Sequence, residues 1–163
     1  MERQFVGFRI RKGGYCVDIM DVKEVVRENR ITRLPDSPDF VKGIMNLRGI
    51  VVPVISVKTK LGFQEESAGE EPQSKTEDHR MDKMIIVTID EVLIGFQVDS
   101  LERVFSIDSI QIQAPEKISE ASTVDRAVIE GVVKQDDSIY LILDIKRLLD
   151  VEEKNFIRKE VVE

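Results

Sequence analysis

The stretch that begins at Phe40 occurs twice. It runs Phe40-Val41-Lys42-Gly43-Ile44-Met45-Asn46-Leu47-Arg48-Gly49-Ile50-Val51-Val52-Pro53-Val54-Ile55-Ser56-Val57-Lys58 and recurs without a gap after Ala127. Gly43 falls on Gly131, Val54 on Ile142, Ile55 on Leu143, Val57 on Ile145, Lys58 on Lys146 and Leu61 on Leu149. Earlier in the chain Val17-Asp18 resembles Val98-Asp99, and residues 22–26 resemble residues 101–105 after two gap positions. A chain of 163 residues built this way reads as two copies of one small unit, together large enough to bury a real core.

Each unit is made of strands. The chain holds 21 Val and 19 Ile with no Trp, and β-branched residues at that density favour extended backbone. The apolar residues alternate in short runs over 5–10, 15–18, 22–26, 31–34, 41–47, 50–56, 84–89, 92–98, 101–106, 128–134 and 139–143. Lys12-Gly13-Gly14 and Arg48-Gly49 supply hairpin connections, and Pro35 and Pro38 bracket a turn. Residues 57–61 read as a helical turn stopped by Gly62, and the tail from Asp144 as one or two helices. About five short strands and a helical turn per unit close best as a small barrel, which exposes few sheet edges. The expected fold is therefore all-β, two stacked small barrels with a groove between them.

Residues 64–82 depart from this pattern. They hold Glu65, Glu66, Glu70, Glu71, Glu77, Asp78 and Asp82, with Ala68 and Met81 as the apolar members. Such a stretch cannot bury enough surface to offset its ordering entropy and is expected to be a mobile acidic loop.

Several function classes drop out on composition. A net charge of −7 argues against a protein that tracks nucleic-acid phosphates. The longest apolar run, residues 50–55, is far short of the roughly 20 residues of a membrane span. Met1-Glu2-Arg3-Gln4 leads straight into a strand pattern, leaving no room for a secretory signal, and the single Cys16 permits no internal disulfide. A cytoplasmic protein is expected. One His, His79, lies in the acidic stretch, where a solvated histidine is the plainer reading, and one Cys with one His cannot close a zinc shell. Gly13-Gly14 lacks the spacing of a phosphate loop. Neither a catalytic constellation nor a metal or cofactor site is expected.

Cys16, beside Val17, reads as a small buried hydrophobe. Asp18 and Asp99, at matching places in the repeat, read as strand-end turn formers rather than an acid–base pair. Pro53 lacks an N–H and points to an edge strand or a bulge. The turn at Arg48-Gly49 needs its glycine but does not need arginine, since the matching turn is Asp136-Asp137. Arg48 is thus either a plain solvated side chain or a partner contact through its planar donor fork.

The segment from Phe40 to Ile55 resembles the signature of the CheW-like domain of bacterial chemotaxis coupling proteins. Gln4-Phe5-Val6-Gly7-Phe8 and residues 15–25 are similar to the family's first half, and residues 95–104 and 131–149 to its second. The resemblance spans roughly residues 3–150. It implies two intertwined SH3-like five-stranded barrels, one over roughly 15–83 and the other from the remainder, with short helices at the barrel ends and a C-terminal helical tail over 151–163. It further implies a non-enzymatic adaptor, without cofactor or metal, that bridges the cytoplasmic tips of methyl-accepting receptors and the regulatory domain of the histidine kinase CheA. Such a protein works at the inner face of the membrane through receptor arrays and self-associates weakly there. Carried over by position, the receptor surface comprises Val22, Glu24, Val25, Gly43, Asn46, Leu47, Arg48, Val98, Leu101 and Val104, with Gly43 acting through backbone shape. A kinase contact falls near Gln113, Pro115 and Lys117. Ser56 stands where the family often has Asp, Cys16 where Gly is common, and the acidic stretch is long. With no phosphotransfer, ATP-binding or receiver domain after residue 150, the resemblance points away from CheA itself and from the CheV type. An adaptor of a non-flagellar chemosensory pathway fits the same residues, whereas a small-ligand-binding barrel would need convergent polar groups in a closed pocket.

Overall fold

The computed structural model describes residues 1–27, 30–63, 83–114 and 126–159. The alternating runs become β1 (Glu2–Ile10), β2 (Gly13–Asp18), β3 (Val22–Arg27), β4 (Val41–Leu47), β5 (Ile50–Ser56), β6 (Lys83–Ile89), β7 (Val92–Val98), β8 (Ser100–Asp108), β9 (Ile129–Gln135) and β10 (Ser138–Leu143). Two short helices follow the last strand of each unit, α1 (Val57–Lys60) and α2 (Val151–Ile157). The stretch 31–34 is the exception: Thr32 alone makes a bridge, because the chain then turns at Pro35.

The strands form two five-stranded sheets, β8-β1-β2-β10-β9 and β3-β6-β7-β5-β4. Neither half of the sequence closes on itself. The hairpin β1–β2 is completed by β8, β9 and β10, and the hairpin β6–β7 by β3, β4 and β5. The second sheet therefore draws its strands from Val22 to Val98, where the sequence reading divided the units near 15 and 83. The chain crosses between sheets through residues 19–21 and through Asp99. Because β3 pairs with β6 as β8 pairs with β1, exchanging the two units returns the same pairings, so the relation is a pseudo-twofold.

Each sheet curls until its edges meet. Thr32 and Ile44 exchange both backbone hydrogen bonds at 2.8 Å, and Gln113 and Val132 do so at 2.8 and 2.9 Å. These matched bridges close the barrels, and a glycine precedes the β-strand partner in each. A Cβ on Gly43, whose φ is +148°, would lie 2.2 Å from the Thr32 carbonyl oxygen, and one on Gly131 would lie 2.9 Å from that of Gln113. Pro53 is not in an edge strand, since β5 lies between β7 and β4. The parallel ladder with β7 runs from Val54 to Ser56, so the proline ring stands before it and removes no bond from it.

Alternation along the strands fills three cores. Phe5, Cys16, Phe105, Ile107, Val133, Tyr140 and Ile142 fill one barrel, and Met45, Leu47, Val52, Val54, Met84 and Ile86 the other. A larger shared core between them includes Phe8, Val17, Ile55, Ile85, Phe96 and Val98. Phe8 and Phe96 are fully buried there, each stabilising the fold by about 1.5–3 kcal/mol. Ser56 caps α1 by accepting from Thr59 N at 3.1 Å, and Asp150 and Glu153 form a capping box on α2. Ile157 of α2 seals the shared core, and Lys60 Nζ donates to Glu153 Oε2 at 2.5 Å.

Asp18 accepts from Met20 N at 2.8 Å and is bridged by Arg3, which also reaches Glu130 Oε2 at 2.6 Å. Asp99 accepts from Arg11 N at 2.5 Å and lies 3.7 Å from Lys58 Nζ. Both aspartates therefore organise strand ends. Cys16 is fully buried, and that burial pushes its thiol well above the ordinary range. It is expected to resist a maleimide in native buffer and to label on unfolding in urea. Labelling in native buffer at the rate of a free thiol would show that this barrel opens locally.

Candidate partner-binding surface

The hairpin β4–β5 turns on two residues in the left-handed region, Arg48 (φ 51°) and Gly49 (φ 90°). Asn46 Oδ1 accepts from Gly49 N at 2.7 Å and braces the turn. A non-glycine residue at the first of these positions carries a cost of about 1–2 kcal/mol, which the chain also accepts at Arg11, Asp90, Glu91 and Asp136. The Arg48 guanidinium donates to the carboxylate of Glu24 on β3. That ion pair holds the Glu24 carboxyl below the usual carboxylate range. Since β3 and β4 are the two edges of their sheet, the pair clasps the barrel shut beside the Thr32–Ile44 bridge. The sequence reading allowed a solvated Arg48 or a partner contact and did not foresee this clasp. Arg48 is still 67% exposed, which leaves donors facing outward.

The other residues expected at the receptor surface divide by burial. Leu47 and Val98 are core side chains and Gly43 is buried under Thr32. None of the three reaches the surface through a side chain, so a role there is one of shape. Val22 and Leu101 are half-buried against the shared core. Val25 and Val104 occupy matching places on β3 and β8, and both are exposed apolar side chains. Of the set, Val22, Glu24, Val25, Leu101 and Val104 lie on the outer strands β3 and β8, Gly43, Asn46, Leu47 and Arg48 on the β4–β5 hairpin, and Val98 at the end of β7. Of the residues assigned to a kinase contact, Gln113 closes its barrel through its backbone and exposes its side chain. Pro115 and Lys117 lie outside the described residues, as do His79 and the acidic stretch 64–82.

The second barrel has its own clasp, which the sequence reading missed. Arg103 of β8 donates to the carboxylate of Asp136, which has φ 57° at the tip of the β9–β10 hairpin. The repeat already held the signal: it sets Glu24 on Arg103 and Arg48 on Asp136, a reversal of charge at both places.

Exposed apolar side chains and ion-paired charges make up this surface. A shallow depression of about 430 Å³ beside the β4–β5 hairpin is lined by Arg30, Thr32, Ile44, Met45, Asn46 and Val51, of which Arg30 alone ionises. Among the described residues no cluster of His, Cys, Asp and Glu could hold a metal ion. Glu102 accepts from the Tyr140 hydroxyl at 2.5 Å and from Arg9 Nε at 3.0 Å, and these bonds hold its carboxyl below the usual range. It is acceptor to fixed donors, with no poised proton.

Residues 4–153 match the family described as the CheW-like domain. The chain is 30% identical over 152 residues to chemotaxis protein CheW of Klebsiella aerogenes, covering 93% of this chain and 84% of that one. It is 27% identical over 150 residues to CheW of Treponema pallidum, covering 92% and 84%. Among solved structures it is similar to the scaffolding protein TtCheW from Thermoanaerobacter tengcongensis, with a TM-score of 0.77, 33% identity, and coverage of 94% of this chain and 91% of that one.

Proposed function

This chain belongs to the CheW-like domain family, a family of non-enzymatic chemotaxis scaffolds, and from that premise we propose that it couples methyl-accepting receptors to the histidine kinase CheA. The receptor tip, a helical hairpin, lies in the groove between the barrels against Val22, Glu24, Val25, Arg48, Leu101 and Val104. Gly43, Asn46, Leu47 and Val98 hold that surface in shape. The kinase regulatory domain meets the end of a barrel, with its contact near Gln113, Pro115 and Lys117 in the sequence. The observation that carries the reading is Arg48: an exposed arginine held in a left-handed turn and paired to Glu24 of β3, the strand that also exposes Val25. Apolar walls supply area for an amphipathic helix, and a fixed charge at their rim sets its register.

No helix among the described residues is long and apolar enough to cross a membrane, so the protein reaches the receptors' cytoplasmic ends by docking. Each interface is at or below the standard protein–protein size of about 1,600 Å², which keeps both exchangeable.

Sedimentation of the full chain with a receptor-tip fragment and with the kinase regulatory domain, separately and together, tests the bridge. Two binary complexes and a larger ternary one are expected. Binding to neither partner would remove the adaptor role and leave the fold standing.

A further inference from the structure

The seam at the outer edge of β4 is closed by a single bridge. Thr32 and Ile44 exchange both backbone bonds there. In an antiparallel pair the next such residues, Arg30 and Asn46, stand opposite each other, with the Asn46 N–H and C=O aimed across the seam. The other side of β4 agrees. Leu47 and Ile50 flank the hairpin turn, so Asn46, set opposite Val51, points its backbone groups away from β5. Arg30 nevertheless does not continue the ladder: among the described residues no backbone bond crosses the seam at Asn46. The Arg30 guanidinium likewise has no hydrogen bond or ion pair among them. The place where the ladder parts is the depression of about 430 Å³, lined by Arg30 and Thr32 and by Ile44, Met45, Asn46 and Val51 of the hairpin. Clefts that hold ligands run from about 300 to 1,000 Å³.

We propose that this gap in the seam takes an extended, glutamate-bearing segment of a partner protein, which completes the ladder on Asn46 and sets its carboxylate on Arg30. Unpaired N–H and C=O groups on a strand edge are a template for another chain. Main-chain bonds then give affinity, and the side-chain site beside them gives specificity. A residue docked opposite Asn46 puts its side chain on the outer face that Asn46 shares with Val51, which is about half exposed. A glutamate there lays its methylenes against Val51 and brings its carboxylate to a guanidinium that has all its donors to offer. Since Arg30 alone ionises among the lining residues, a basic side chain in that place meets uncompensated like charge, which sets the preference for acid. The inference needs neither Arg48 nor Val25 and stands apart from the receptor and kinase contacts proposed above.

The test titrates the isotope-labelled full chain with a capped pentapeptide of alternating valine and glutamate, followed by NMR at the Asn46 backbone amide. A saturable shift of that amide is expected, with binding about tenfold weaker at low salt when lysine replaces glutamate in the peptide. Arg30→Glu, at a side chain with no partner to lose, is expected to keep the parent's melting curve and to reverse the preference between the two peptides. If that variant melts lower, Arg30→Gln in its place is expected to erase the preference. An Asn46 amide that does not respond, a response equal for both peptides, or an unchanged preference in the folded Arg30 variant would overturn the proposal. So would the same shift on adding sodium acetate alone, which would mark an anion site without strand pairing. Binding through Arg30 to phosphatidylglycerol vesicles, with no response to the peptide, would assign the surface to a membrane and overturn it equally.

Discussion

Gly43→Ala is expected to lower stability by about 2–5 kcal/mol, from left-handed backbone strain and forced repacking together. In a chain of this length that is a fall in melting temperature of roughly 5–20 °C. The added methyl would stand 2.2 Å from the Thr32 carbonyl oxygen and 2.8 Å from Ile31 Cγ2, at a φ of +148°. Rotating a side chain cannot relieve this, because the obstructing atom belongs to the backbone that closes the barrel. Thr32 would have to withdraw, giving up both of its bonds to Ile44 and leaving that edge of β4 unpaired. Gly131→Ala, at the matching place, meets the tip of Ile112 at 2.7 Å and the Gln113 carbonyl at 2.9 Å. The first can swing aside, so a smaller loss is expected. Urea denaturation of both variants checks the order. Equal stability of Gly43→Ala and parent would show that the Thr32 bridge is dispensable and that the barrel closes by other means.

How far the chain could be read in advance follows from the range of the interactions involved. Hairpins are local, and residues 41–47 and 50–56 with their Arg48-Gly49 turn stand in the structure where the sequence placed them. The capping residue Ser56 and the terminating Gly62 are local as well. Exchange of strands between the halves is not. β3 follows β2 after three residues yet pairs with β6, on the far side of the acidic stretch, and nothing in residues 22–27 records that choice. The repeat by itself therefore revealed two barrels while concealing their shared strands; that they intertwine came only from the resemblance to the CheW-like domain.

The surface was legible in the same uneven way. Strict alternation puts Gly43, Met45 and Leu47 on one face of β4, inside the barrel, so a side-chain contact by Leu47 could have been set aside from pattern alone. The clasp between Arg48 and Glu24 spans the two edges of a closed sheet, and an edge-to-edge contact has no signature in either strand. Only the second copy hints at it, through the paired reversal to Asp136 and Arg103.

Arg48→Glu is expected to weaken binding to the receptor-tip fragment tenfold or more while the protein stays folded. The substitution sets a carboxylate beside Glu24 and reverses the charge the rim shows to a partner, so a loss alone would not separate a contact from a disturbed clasp. Glu24→Arg combined with Arg48→Glu separates them. It rebuilds the ion pair across the barrel edge, and with Arg48 exposed and Glu24 only half-buried little stability is at stake in either arrangement. The rim charge stays reversed. If Arg48 contacts the receptor, the double variant binds as poorly as the single one, because the partner still meets a carboxylate where it needs a donor fork. If Arg48 acts only by closing the barrel, the double variant regains parental binding. Titrations of parent, single and double variants at two ionic strengths distinguish these outcomes, since the contact loses its effect as salt screens the rim and a repaired fold does not.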